Sequence, residues 1–119
     1  VVLKGDLDMD AVGEVDAMLR RAFGPFFFRR TLLIDLGAAL MLDSTFVSYL
    51  VRLAGRVRQA GYDLVLTRPV GQVRRTLALV GMPNLVPVYD SLEQAAELIA
   101  AGRVPMIPPP LPFRLGDTV

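Results

Sequence analysis

The stretch Thr31–Leu42, TLLIDLGAALML, constrains the fold more than any other part of the chain. It is a nearly unbroken apolar run with one acid, Asp35, and it stops at Asp43-Ser44-Thr45 before an amphipathic pattern begins. Its first part, TLLIDL, is the pattern of a strand covered on both faces, although periodicity alone does not separate it from a buried helix. It is too short for the roughly 20 apolar residues that span a bilayer. Beyond Ser44, Phe46, Val47, Leu50, Val51, Leu53, Ala54 and Val57 trace one apolar face, and Arg52, Arg56, Arg58 and Gln59 mark the opposite side. That spacing predicts a helix ending near Gly61. A doubly covered strand feeding a helix is the signature of an α/β layer structure.

The flanking sequence repeats the alternation. VVLKG reads as a strand ended by glycine, and the segment Asp6–Phe23 as a helix with Ala11, Val15, Met18, Leu19 and Ala22 inward. Asp8 or Asp10 sits near its start and Arg20 and Arg21 near its end, matching the helix dipole, and Gly24-Pro25 stops it. DLVLT is a further strand stopped by Pro69, GQVRRTLALVGM a helix with Val73, Leu77 and Val80 inward, VPVYD a short strand, and SLEQAAELIAA a helix with a Ser91 cap that ends at Gly102. At 119 residues the expected organisation is one domain over residues 1–102. Residues 103–119 hold five of the nine prolines and are expected to form a proline-rich, extended tail, either a linker or a docking peptide.

Composition removes whole classes of chemistry. There is no cysteine and no histidine, so disulfides, thiol nucleophiles, imidazole bases and the usual zinc sites are all excluded. Thirteen basic and twelve acidic residues leave a charge of +1, which gives no field for a nucleic acid or an anionic membrane, and the arginine pairs are dispersed. Neither phosphate-binding glycine motif is present, and Asp43-Ser44 and Asp90-Ser91 lack a base to activate a hydroxyl. Asp35 with Asp6, Asp8 and Asp10 suggests the carboxylate cluster of a response-regulator receiver, but the late lysine such a site needs is missing, since Lys4 is the only lysine. The chain is therefore expected to be no enzyme and to hold no cofactor or metal. The three adjacent phenylalanines 26 to 28 cannot all point one way, and at least one is expected in the core.

With GDLD near the start, LLIDL ahead of LDST, RPVGQVRRTLALVGM and then VYDSLEQA, the chain resembles the STAS family of anti-sigma factor antagonists and sulfate transporter tails over residues 2 to 101. The resemblance implies an α/β fold with a small mixed sheet flanked by about four helices, here without the family's first strand. It implies phosphorylation of Ser44 by a partner, and partner contacts at Asp8, Asp43, Ser44, Thr45 and Phe46. Phe46 replaces the family's usual glycine, and the ring is expected either to obstruct a kinase or to join an altered interface. The function so implied is a cytoplasmic, bacterial switch that engages an anti-sigma factor kinase of the GHKL type when unmodified, lets go when phosphorylated, and is reset by a phosphatase. The alternative is an unphosphorylated assembly subunit of a signalling scaffold or transporter complex, as a homodimer or larger array. Nucleic-acid binding and membrane insertion are not expected.

Overall fold

The computed structural model describes residues 1–100. Four strands, β1 (Val2–Leu7), β2 (Leu32–Leu42), β3 (Leu64–Thr67) and β4 (Val88–Tyr89), alternate with four helices, α1 (Met9–Phe23), α2 (Ser44–Gln59), α3 (Gly71–Leu79) and α4 (Leu92–Ala100), with a short 3-10 turn at Met82–Asn84. The sheet order is β1-β2-β3-β4. Every neighbouring pair is parallel, because each strand returns through a helix and that crossover brings the chain back in the same direction. The α/β architecture is the expected one, and among the described residues the sheet is wholly parallel rather than mixed. No described strand lies beyond β1, which forms one edge. The expected end of α4 at Gly102 and the proline-rich tail fall outside the described residues.

β2 is the spine of the molecule and runs well past the LLIDL segment, through GAALML. It meets β1 from Val2 opposite Asp35 to Leu7 opposite Leu42, with register shifts after Val2 and after Gly5. Those shifts place two more residues on β2 than on β1 across the paired stretch. They explain why its buried positions change from a spacing of two at Leu32, Ile34 and Leu36 to a spacing of three at Ala39 and Leu42. Gly5 sits at the second irregularity with a φ of 76°, a conformation that glycine adopts without steric cost. The strand expected to stop at Gly5 therefore continues to Leu7.

The main core lies between the sheet and the helices. α1 contributes Ala11, Val15 and Leu19, and α2 contributes Phe46, Val47, Tyr49, Leu50, Leu53, Ala54 and Val57. On α1 the stripe continues to the half-buried Phe23 four residues after Leu19, which turns the expected Ala22 outward. Val80 also differs from expectation: α3 ends at Leu79, Val80 is exposed as the helix closes, and the fully buried Met82 fills the inward position. Tyr49, which the apolar pattern passed over, is buried and donates its hydroxyl to Asp16 at 3.2 Å, tying α2 to α1. Burial, reinforced by the Asp16 charge, pushes its phenol well above the usual range.

The phenylalanine triplet divides as geometry requires. Phe27 is fully buried, Phe28 is half-buried and packs edge-on against it at 5.9 Å, and Phe26 is 57% exposed. Phe27→Ala is expected to cost about 3–5 kcal/mol of unfolding free energy and Phe26→Ala about 1 kcal/mol or less, compared by urea denaturation.

Candidate functional site

β1 and β2 end side by side, and each passes directly into a helix. Leu7 lies opposite Leu42, and the Asp43 N–H donates to the Leu7 carbonyl at 3.1 Å, so the next residues, Asp8 and Asp43, stand together at the C-terminal edge of the sheet. Both are helix caps. Asp8 accepts from the Ala11 N–H at 3.1 Å and Asp43 from the Phe46 N–H at 2.9 Å, each satisfying a first-turn donor that the helix itself cannot. The Asp43 carboxylate beside Ser44 is thus committed to holding the start of α2.

Ser44 and Thr45 are the first two residues of α2, and both are exposed. Their own N–H groups donate to no acceptor among the described residues, so the hydroxyl of Ser44 lies at a helix mouth that carries partial positive charge. Phe46 is different. It lies on the apolar face that helical spacing gave it, and the partner contact that the resemblance implies does not fit its burial: it is fully buried, packs against Tyr49 with ring centroids 5.6 Å apart, and is part of the core. Third in the helix, it faces the sheet while Ser44 and Thr45 face outward, so its ring does not wall off the serine. Asp8 and Asp43 are half-buried.

Two interactions that the sequence did not reveal hold this edge in place. β3 pairs only with residues 32–35 of β2, leaving the second half of β2 without a strand on that side. There the Gln72 side chain takes the place of a strand, accepting from the Leu42 N–H at 2.9 Å and donating to the Leu42 carbonyl at 3.2 Å. A glutamine near the start of α3 gives no local sign of this role, because its partner is 30 residues earlier.

The second is the buried Asp35. It receives Nε and Nη2 of Arg68 at 2.9 and 2.6 Å and the Thr67 hydroxyl at 3.0 Å. The Arg68 guanidinium, aided by the Thr67 hydroxyl, holds the Asp35 carboxyl below its ordinary value despite burial. Arg68 reaches this position with a φ of 55°, a left-handed conformation costly for a side chain of this size. Gly37 makes room for it, since a Cβ there would stand 2.9 Å from the guanidinium carbon. Asp35 is therefore already neutralised and structural. With Asp6 and Asp10 exposed and Asp8 capping α1, the receiver-like carboxylate cluster does not form. Among the described residues no group of three or more acidic side chains is placed to hold a metal ion. No helix in the described residues is long and apolar enough to cross a membrane.

The fold agrees with comparisons to known proteins. The sequence matches the family model for the STAS domain over residues 1–95. The chain belongs to the STAS domain family. Among solved structures it is similar to TM1081 of Thermotoga maritima, a candidate anti-sigma factor antagonist, with a TM-score of 0.70 and 20% identity over 83% of this chain and 86% of that one. A solution structure of TM1081 superposes with a TM-score of 0.69 at 18% identity, covering 83% of this chain and 78% of that one. The anti-sigma factor antagonist SpoIIAA in its unphosphorylated form superposes with a TM-score of 0.62 at 19% identity, covering 85% and 86% of the two chains. No curated protein matches the chain.

Two outcomes follow from these contacts. Asp43→Ala is expected to destabilise the protein by about 1 kcal/mol through loss of the cap, Asp43→Asn to restore most of it, and Ser44→Ala to change stability by less than about 0.5 kcal/mol, all read by urea denaturation. Because the folded Asp35 binds its proton only below the ordinary carboxylate value of 3.8, its pair with Arg68 contributes fully above about pH 5 and is lost as the pH falls through and below that value. Asp35→Asn should lower the melting temperature at neutral pH and flatten the acid limb of a stability–pH profile.

Proposed function

We propose that this protein is an anti-sigma factor antagonist that works as a binding switch, with Ser44 as the regulated hydroxyl. The observation that carries the reading is the exposure of Ser44 at the first position of α2, beside two aspartate caps whose carboxylates are occupied by backbone donors. The hydroxyl can be reached by a docking protein without unfolding any part of the edge. The partner is an anti-sigma factor with serine kinase activity, a separate phosphatase reverses the modification, and the exchange takes place in the cytoplasm of a bacterium. The domain itself performs no catalysis, and the surface that the partner reads comprises Asp8, Asp43, Ser44 and Thr45.

The switch rests on electrostatics. A phosphate adds about 1.5 to 2 negative charges. At the helix mouth the free Ser44 and Thr45 N–H groups favour that charge within the domain. Within an interface the same charge must lose its water next to Asp8 and Asp43, and a loss of about 3 kcal/mol lowers affinity roughly a hundredfold. Binding is therefore controlled without a change of fold.

Incubation with ATP and the cognate kinase, followed by intact-mass measurement, tests the reading. The expected result is a gain of one phosphate, absent in Ser44→Ala, together with a roughly hundredfold weaker complex for the modified protein. A stable complex with no gain in mass would instead support the unphosphorylated assembly subunit.

A further inference from the structure

The end of the molecule opposite Ser44 carries a cluster that the switch does not use. Between Ala17 and Ile34 the chain has four arginines, four phenylalanines and no acidic residue. In the fold, Arg29 lies over the Phe26 ring at 4.4 Å, and Arg56, arriving from α2, lies over Phe28 at 4.2 Å. Phe28 meets Phe26 edge-on at 6.3 Å, which joins the two stacks, and Arg30 lies over Phe23 at 4.4 Å alongside them. Arg29, Arg30 and Arg56 are all exposed, and none has a carboxylate partner among the described residues.

We infer that this patch is a docking surface for an acidic segment of a partner protein, bound by guanidinium groups held in place on the phenylalanine rings. Three features select that occupant. Each stack fixes a long side chain that otherwise loses rotamer freedom on binding, and leaves the in-plane N–H fork open to receive a carboxylate through two bonds. One face of each of the Phe26 and Phe28 rings already carries a guanidinium group, which competes with the bases of a single-stranded nucleic acid for stacking. Apolar exposure at the patch is concentrated in Phe26, too little to insert into a bilayer. Arginine and aromatic residues are also both enriched at protein interfaces.

The surface is independent of the Ser44 switch. The two lie at opposite ends of β2, whose eleven residues span roughly 35 Å, so either can fail without the other.

The test is fluorescence anisotropy of the full chain with a fluorescein-labelled octaglutamate peptide at low salt. The native protein should bind, and Arg29→Gln with Arg56→Gln should weaken binding about tenfold. Lys4→Gln with Arg75→Gln, an equal change of charge at exposed positions elsewhere, should leave it unchanged. Phe26→Ala, which removes the seat of Arg29 without altering charge, should weaken binding about threefold. Circular dichroism checks that each variant is folded. The inference is overturned if the native protein does not bind the peptide, if the Lys4/Arg75 variant loses as much as the Arg29/Arg56 variant, if Phe26→Ala binds normally, or if a twelve-residue oligothymidylate or phosphatidylserine vesicles bind more tightly than the peptide.

Discussion

The parallel pairing of β1 with β2 is the constraint from which the rest follows. Two parallel strands that end in register, each followed at once by a helix, bring the helix N-termini together on one edge. The Asp43 N–H bond to the Leu7 carbonyl locks that arrangement, and the two aspartates then satisfy the first-turn donors of α1 and α2. The register irregularities on β2 set which residues of its second half face the core, burying Ala39 and Leu42 and leaving Ala38 and Leu40 outside. Without the first of them Ala39 would turn outward, because a slip of one residue moves every side chain to the other face, and the second restores the original phase at Leu42.

Order at the edge comes from side chains that replace missing backbone partners. Gln72 stands in for a strand beside Leu42, the aspartate caps stand in for the preceding helical turn, and Arg68 satisfies a carboxylate that the sheet buries. A buried acid is costly unless paired and hydrogen-bonded, and Asp35 has three donated bonds. The rigidity of the site therefore depends on α3 and on the residues just after β3 as much as on the helix that carries Ser44.

What was legible in the sequence was whatever depends on neighbours along the chain. The strand-helix alternation, the caps and the division of the phenylalanines followed from spacing and turn residues, and the motifs from GDLD to VYDSLEQA were enough to indicate the family. Contacts between distant residues were not legible. Asp35 stood out as one acid in an apolar run, but nothing local connects it with Arg68, 33 residues later. Phe46 carried two expectations: helical spacing put it on the apolar face, where it lies, and the family resemblance put it with Ser44 at the partner surface, whereas the helical turn sends the two to different faces. The length of β2 was underestimated because GAALML resembles a strand only when the extra residues of the β1 pairing are known.

The glutamine beside Leu42 has a further consequence. The last part of β2 is long, apolar and unpaired by any strand on one side, and Leu40 within it is 73% exposed. A row of open amide and carbonyl groups on such a segment is a template on which other chains can polymerise. By occupying the N–H and carbonyl of Leu42 at the end of that row, Gln72 removes one backbone pair from the template and so acts against self-association. Its replacement would be felt first as precipitation at high concentration, before any loss of folded structure at low concentration.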